Sequence, residues 1–417
     1  MQKGKLLLII CVIGFFFIGF LGCSTMNLVK ADLKMATGDY KGAVTILQAY
    51  LKKDPRSVWA TTQLGVAYLH LDDLDSAIDL FLKVQQLQQK EPRSILFLGL
   101  AFIGKKQYEK AIASWEGYTS NDAVVVAEIK KQLTLLKITY SRKMAQKALL
   151  EEKKLATIKP DKNTFAVCYY ADVSPNNSFR AFQKALAAMV ISDLAKIDTV
   201  SIVERIRLQS LFMEMALGQT GIVDPSTAPR VGHLIGAENL VVGTLSAGSI
   251  RTDTSLASTS KKKVLGNAAL TVKQKDFFHL PKEIALSVAR LAGIKLTDAQ
   301  LKIVGQDHTK NYEAVISYGN ALLALDSDNW KAAREFFEKA LRADPQWILA
   351  QEGYQNCPPD SSPTIAQLLA MSPVAMMKSF MVAVDQAERD QSAENKRKAE
   401  EAAEAEKGGG GEGGGGH

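Results

Sequence analysis

The chain has 417 residues, of which 47% are hydrophobic and 23% charged, and 51 basic against 44 acidic side chains leave a formal net charge of +7. That length fits two to three domains, and the hydrophobic share is enough to build real cores, so wholesale disorder is excluded. Four cysteines cannot staple a chain this large, and a charge this mild does not saturate a nucleic acid, so disulfide-framework and fibrous classes fall away too.

The first element is a leader. Lys3 and Lys5 make a short basic start, residues 6–22 are uninterrupted apolar or glycine, and Cys23 follows at once. This order predicts a secretory signal over residues 1–22, with small Gly22 at the cut. Phe20-Leu21-Gly22-Cys23 resembles a bacterial lipobox, which implies lipidation of Cys23 at the mature N-terminus. A retained transmembrane anchor is the competing expectation, because 17 apolar residues reach the lower limit of a spanning helix. Ser24 resembles outer-membrane sorting in two-membraned bacteria, so the expected location is the outer membrane, lipid-anchored and facing the periplasm. Cleavage removes Lys3 and Lys5 and leaves +5, which suits an anionic surface without requiring one. Cys168 and Cys357 remain as thiols, and whether they meet stays open.

A 34-residue period comes next. Ala43, Ala77 and Ala111 are 34 apart, as are Leu47, Phe81 and Trp115, and Leu64-Gly65 with Tyr68 recurs as Leu98-Gly99 with Phe102. This is the period and pattern of tetratricopeptide repeats. Small residues let paired helices approach, large ones fill the gap to the next unit, and Gly38-Asp39, Asp72-Asp73 and Lys105-Lys106 fall at the turns. The repeats, with capping helices from about Asp122 to Leu155, are expected over 23–155. Their concave face would carry Trp59, Thr62, Val66, Leu69, Arg93, Leu96, Leu100 and Ile103, an apolar groove suited to an apolar or helical segment. The same face could equally pack on the chain itself.

The middle reads as α/β. Residues 164–171 are β-rich and closed by Asp172, Pro175 and Asn176, and Phe182, Leu186, Met189, Val190 and Leu194 recur at helical spacing within 179–197. Strand Val200–Val203, a helix to Leu217, a helix capped by Ser226 and ended by Gly236, and buried-type strand Leu240–Leu245 follow. Polar β-like runs around the Lys261–Lys263 turn and a helix over Pro281–Leu291 complete it. The order predicts a mixed sheet covered by helices, and an α+β fold class for the whole chain. Through Ile202-Val203-Glu204-Arg205, Leu211 with Glu214, Gly232, Gly236-Ala237 and Leu240-Val-Val-Gly243, the region 164–295 resembles the CsgG family of curli-secretion lipoproteins. The resemblance implies envelope export or assembly, and in the founding member a ring-shaped pore built from two transmembrane hairpins per subunit. Residues 243–279 leave only 37 positions for such hairpins, and no aromatic residue lies between Phe212 and Phe277, so the pore part is not expected to carry over.

A further repeat-like helix pair is expected over 308–356, since Ala333, Phe337, Ala340 and Pro345 repeat the earlier spacing. One pair cannot bury both faces, so it must dock on something. Residues 357–386 contain an apolar helix with four methionines over 364–386, expected to dock within the chain or between copies. Residues 387–417 form a charged, then glycine-rich tail. The five histidines show no metal-ligand spacing, neither a P-loop nor a nucleophile elbow is formed, and Glu204, Arg205 and Glu214 read as structural ion pairs. No catalytic residue, metal or cofactor is expected, and no nucleic-acid partner. The function expected is a protein–protein interaction scaffold or accessory factor in the export or assembly of surface material, with partner proteins or peptides on the repeat face. A ring-forming secretion-channel subunit is the alternative, and an envelope-polymer enzyme the least favoured.

Overall fold

The computed structural model describes residues 28–121, 123–174, 178–215, 223–246 and 249–408. The expected signal segment 1–22, Cys23 and the glycine-rich end lie outside them. The chain divides into two compact units, Met1–Leu133 with Met371–His417, and Thr134–Ala370. The division at Leu133 falls inside one helix, where no composition break marks it.

The first unit is a stack of helices: α1 (28–36), α2 (Tyr40–Leu51), α3 (Val58–His70), α4 (Leu74–Leu87), α5 (Pro92–Gly104), α6 (Tyr108–Glu116) and the start of α7 (Ala123–Leu150). Each of α3 to α6 packs on the helix before it in the chain. The helices start where an acceptor side chain meets an orphan amide. Asp39 accepts from Gly42 N, Ser57 from Ala60 N, Asp73 from Ser76 N and Glu91 from Ser94 N. Gly38, Asp72 and Lys106, each 34 residues on from the last, take positive φ at the turns. Packing follows the period as well. A Cβ at Gly65 would strike the Phe81 ring, and one at Gly99 the Trp115 indole. Ala43, Ala77, Phe81 and Ala111 have no exposed surface.

The second unit holds a six-stranded sheet of β1 (Thr164–Val167), β2 (Ala171–Asp172), β3 (Ser201–Ile202), β4 (Asn239–Ser246), β5 (Ile250–Ser258) and β6 (Lys263–Val272). Their order is β3-β1-β4-β5-β6, with β2 also on β4. Pairing is parallel among β1 to β4 and antiparallel for β4–β5 and β5–β6. The parallel strands β1 and β4 carry continuous apolar runs because helices cover them. Helix α9 (Arg180–Leu194) packs on β1 and α11 (Ala228–Ile235) on β4, with α8 (Glu152–Leu155) and α10 (Arg205–Glu214) beside α11 and α12 (Leu280–Leu291) on α9, β5 and β6. The expected single run 164–171 splits into β1 and β2. Ser226 is not the cap of α11: its N-cap is Thr227, without a side-chain bond, while Gly236 ends the helix in the left-handed conformation.

Helices α13 (Asp298–Val304), α14 (Tyr312–Asp326), α15 (Trp330–Ala343), α16 (Ile348–Asn356) and α17 (Ile365–Ala370) complete this unit. The repeat-like pair α14–α15 docks on α9 through α14. Gly319 permits it, since a Cβ there would run into the Ala181 carbonyl. Its turn residue Asp328 has positive φ, like Asp72 and Lys106. Cys168 and Cys357 are both buried and form no disulfide with each other.

Candidate protein-interaction site

The expected groove residues sit on α3 and α5. Leu69, Leu100 and Ile103 are fully buried, Leu96 and Val66 nearly so, and Thr62 is buried with its hydroxyl unpartnered. Trp59 is half-buried and packs on a cluster of Ala31, Ala43, Leu47, Ala60 and Leu64. Arg93 is exposed, with its guanidinium 5.4 Å from the Phe97 ring centroid.

What lies on α5 is the chain's own last helix, α18 (Pro373–Gly408). The expected apolar helix of 364–386 is thus two helices: α17 in the second unit and the first turns of α18 in the first. Met376, Met377, Phe380, Met381 and Val384 make one stripe down α18, each at most 4% exposed. Phe380 meets Trp115 at 6.2 Å between ring centroids. Gly104 has Met377 and Leu74 over it at a distance only a glycine leaves open.

Charges rim the seat. Lys378 Nζ lies 2.8 Å from Asp72 Oδ2, both about half exposed. Burial raises the Asp385 carboxyl above the ordinary aspartate range, while the positive fields of His70, Arg389 and Arg93 pull it back. Burial holds His70 below the ordinary histidine value, against the pull of Asp385 and Asp72 and with the push of Lys378. Tyr40 stacks on the His70 ring at 4.1 Å.

The second unit holds a buried charge cluster that the sequence reading missed. Asp326 accepts from Lys184 Nζ at 2.9 Å and from Arg205 at 2.7 Å, and Arg205 also donates to the Tyr169 hydroxyl at 3.1 Å. The Lys184 ammonium is 3.5 Å from the Tyr169 ring centroid and also donates to Gln209. Burial pushes Lys184 down to about 8 even with Asp326 beside it. Burial disfavours the Asp326 carboxylate too, yet Arg205 and Lys184 hold it below its usual value. Glu204 pairs with Lys137 at 2.9 Å and Glu214 with Arg142 at 3.9 Å, so the three charged residues singled out in the sequence each tie α10 to another helix. The only sequence signal for Lys184 was a lysine inside the apolar run of α9.

A space of about 30 Å³ beside Arg205, Gln209 and Asp326 has room for about one water. A larger cleft of about 210 Å³ lies between α7, α8, α10 and α11, lined in part by Lys147, Arg207, His233 and Leu234. Among the described residues no group of three or more histidine, cysteine or acidic side chains could hold a metal ion. No helix among them is long and apolar enough to cross a membrane. Within 243–279, β5 and β6 form one hairpin, and β6 is the sheet edge.

Residues 138–279 match the family model for the curli production assembly/transport component CsgG, and residues 34–95 match a tetratricopeptide-repeat model. No curated protein matches the chain. Among solved structures the chain is similar to the LpoB C-terminal domain from Salmonella enterica, at 12% identity over 32% of this chain and 95% of that one, with a TM-score of 0.24. It is also similar to a tetratricopeptide repeat protein from Parabacteroides merdae, at 12% identity over 80% and 98% of the two chains, TM-score 0.27. Yeast Tom70 is similar at 14% identity over 80% and 67%, TM-score 0.26. The chain therefore joins tetratricopeptide repeats, matched over 34–95, to a CsgG-type domain, matched over 138–279, in one polypeptide.

Proposed function

We propose that this protein is an outer-membrane lipoprotein, anchored through Cys23 and facing the periplasm, that acts as a non-catalytic interaction scaffold in export or assembly of surface material. The observation that carries the reading is the joining of a CsgG-type domain to tetratricopeptide repeats in one chain, which supports a protein-interaction role linked to curli-type export or assembly. The charged residues of the second unit favour architecture over chemistry. Lys184, Arg205 and Asp326 are consumed in ion pairs between helices, and the space beside them is only about 30 Å³.

A ring-forming channel subunit is the second reading. It is favoured by the CsgG match running through the β5–β6 hairpin, whose strands of 9 and 10 residues have membrane-spanning length. Against it stands the absence of Phe, Trp and Tyr between Phe212 and Phe277. The test is the mass of the native complex after mild detergent extraction, with negative-stain images of the same fraction. A monomer or small oligomer that leaves the membrane when Cys23→Ser is introduced supports the tethered scaffold. A closed ring of many subunits refutes it in favour of the channel.

A further inference from the structure

We infer that the repeat groove is a receptor for a methionine- and phenylalanine-rich amphipathic helix of another protein, and that α18 is a built-in competitor for the same seat. The inference rests on the scaffold reading above and gives the partner of that surface its chemistry.

The seat is described by what fills it. The apolar contacts of α18 fall at Met376, Met377, Phe380, Met381 and Val384, a single stripe along one helical face. Three of the five are methionines, whose unbranched, polarisable side chains repack easily and suit a surface that exchanges occupants. The ends carry a polarity. Asp72 receives a cation just after the methionine pair, and His70 with Arg93 faces the far end of the stripe. A partner helix must therefore present apolar residues at the same spacing and a lysine or arginine in the place of Lys378.

Two features make α18 a replaceable occupant rather than a permanent cap. Its ion pair to the repeat unit, Lys378–Asp72, is half exposed, and such pairs hold little. At the other end it brings a carboxylate, Asp385, into a half-buried place where burial disfavours its charge. A partner helix with a neutral residue there avoids that penalty. The tether compensates α18 for its imperfect fit. A segment on the same chain acts at an effective concentration on the order of a millimolar, so a free helix of micromolar affinity is held back roughly a thousandfold.

The test uses the full chain and a fluorescein-labelled synthetic peptide of residues 372–391, read by anisotropy. Met377→Glu with Phe380→Glu frees α18 and leaves every groove residue intact. This variant is expected to bind the peptide at least a hundredfold more tightly than the wild type. An Asp385→Asn peptide should bind more tightly than the parent peptide, and a Phe380→Glu peptide should not bind. Wild-type hydrogen exchange supplies the check that needs no variant: amides of 376–384 should open well before those of α3 and α5. Exchange of α18 in step with α3 and α5 overturns the inference and makes the helix a fixed cap. A freed variant with protected repeats that ignores the peptide also overturns it, while leaving the scaffold reading to the native-complex experiment. Wild-type dimers formed by exchange of α18 would assign the seat to a second copy and refute a foreign partner.

Discussion

Asp326 is the residue whose loss the second unit should tolerate least. Its carboxylate is 4% exposed and bonds two cations, Lys184 and Arg205, that reach it from α9 and from the start of α10. Asp326→Asn leaves both cations buried without a counter-charge, a loss of about 3–5 kcal/mol. Lys184→Met should behave oppositely. Burial takes Lys184 from 10.5 to about 8, a drop equivalent to about 3 kcal/mol at neutral pH, and methionine carries no such charge. Its removal leaves Asp326 paired with Arg205, so the variant should lie within about 1 kcal/mol of the wild type or above it. The assay is pulse alkylation of Cys168 in urea, scored by mass spectrometry. This thiol is fully buried and pushed up to about 12 by that burial, so it reacts only when the unit opens. With a slope near 2–3 kcal/mol per molar urea, Asp326→Asn should lower the midpoint by about 1–2 M. Between pH 8 and 10.5 the unfolded chain holds a proton on Lys184 that the folded chain has released, so wild-type stability gains with rising pH from this group. The difference between wild type and Lys184→Met isolates that gain. Equal losses in the two variants, or a loss under about 1 kcal/mol in Asp326→Asn, would refute the reasoning.

Phe81→Ala should cost the repeat unit about 3–5 kcal/mol, because the ring is fully buried against Gly65 and lies 6.1 Å from Phe97. Urea unfolding followed by far-ultraviolet circular dichroism should show an earlier first transition. Gly319→Leu should part α14 from α9 and cost at least about 2–3 kcal/mol, read by the same Cys168 labelling. Burial in the folded repeat unit holds His70 below its ordinary value, so unfolding that unit takes up a proton and its stability falls as pH drops through about 6.5. The urea midpoint of the first transition should be lower at pH 5.5 than at 7.5, and His70→Gln should reduce that dependence.

The repeat architecture was legible because its contacts are local. Gly65 meets Phe81 and Gly99 meets Trp115 at one fixed offset, and the left-handed turns at Gly38, Asp72 and Lys106 share the 34-residue step. The strands and helices of the second unit were legible for the same reason, through apolar runs and turn residues. Long-range pairings were not. Lys184 and Arg205 find Asp326 across 142 and 121 residues, and nothing in α9 or α14 alone announces the match. The unit boundary at Leu133 was hidden inside the continuous helix α7. The apolar stripe of α18 was visible as a surface needing cover, but its seat on α5 follows from the shape left open over Gly104 and Trp115.

Helix α18 does not end where its apolar stripe ends. Beyond Asp385 it continues to Gly408 without a break, its exposed turns braced by pairs such as Lys398–Glu394 and Arg397–Glu401. At 1.5 Å per residue that stretch is a rod of about 35 Å. Seat and rod share one backbone, so the rod is a mechanical handle. A pull along its axis loads Met376, Phe380 and Val384 together, in shear, whereas a sideways push prises them out one turn at a time. The groove therefore resists tension on the tail far better than torque.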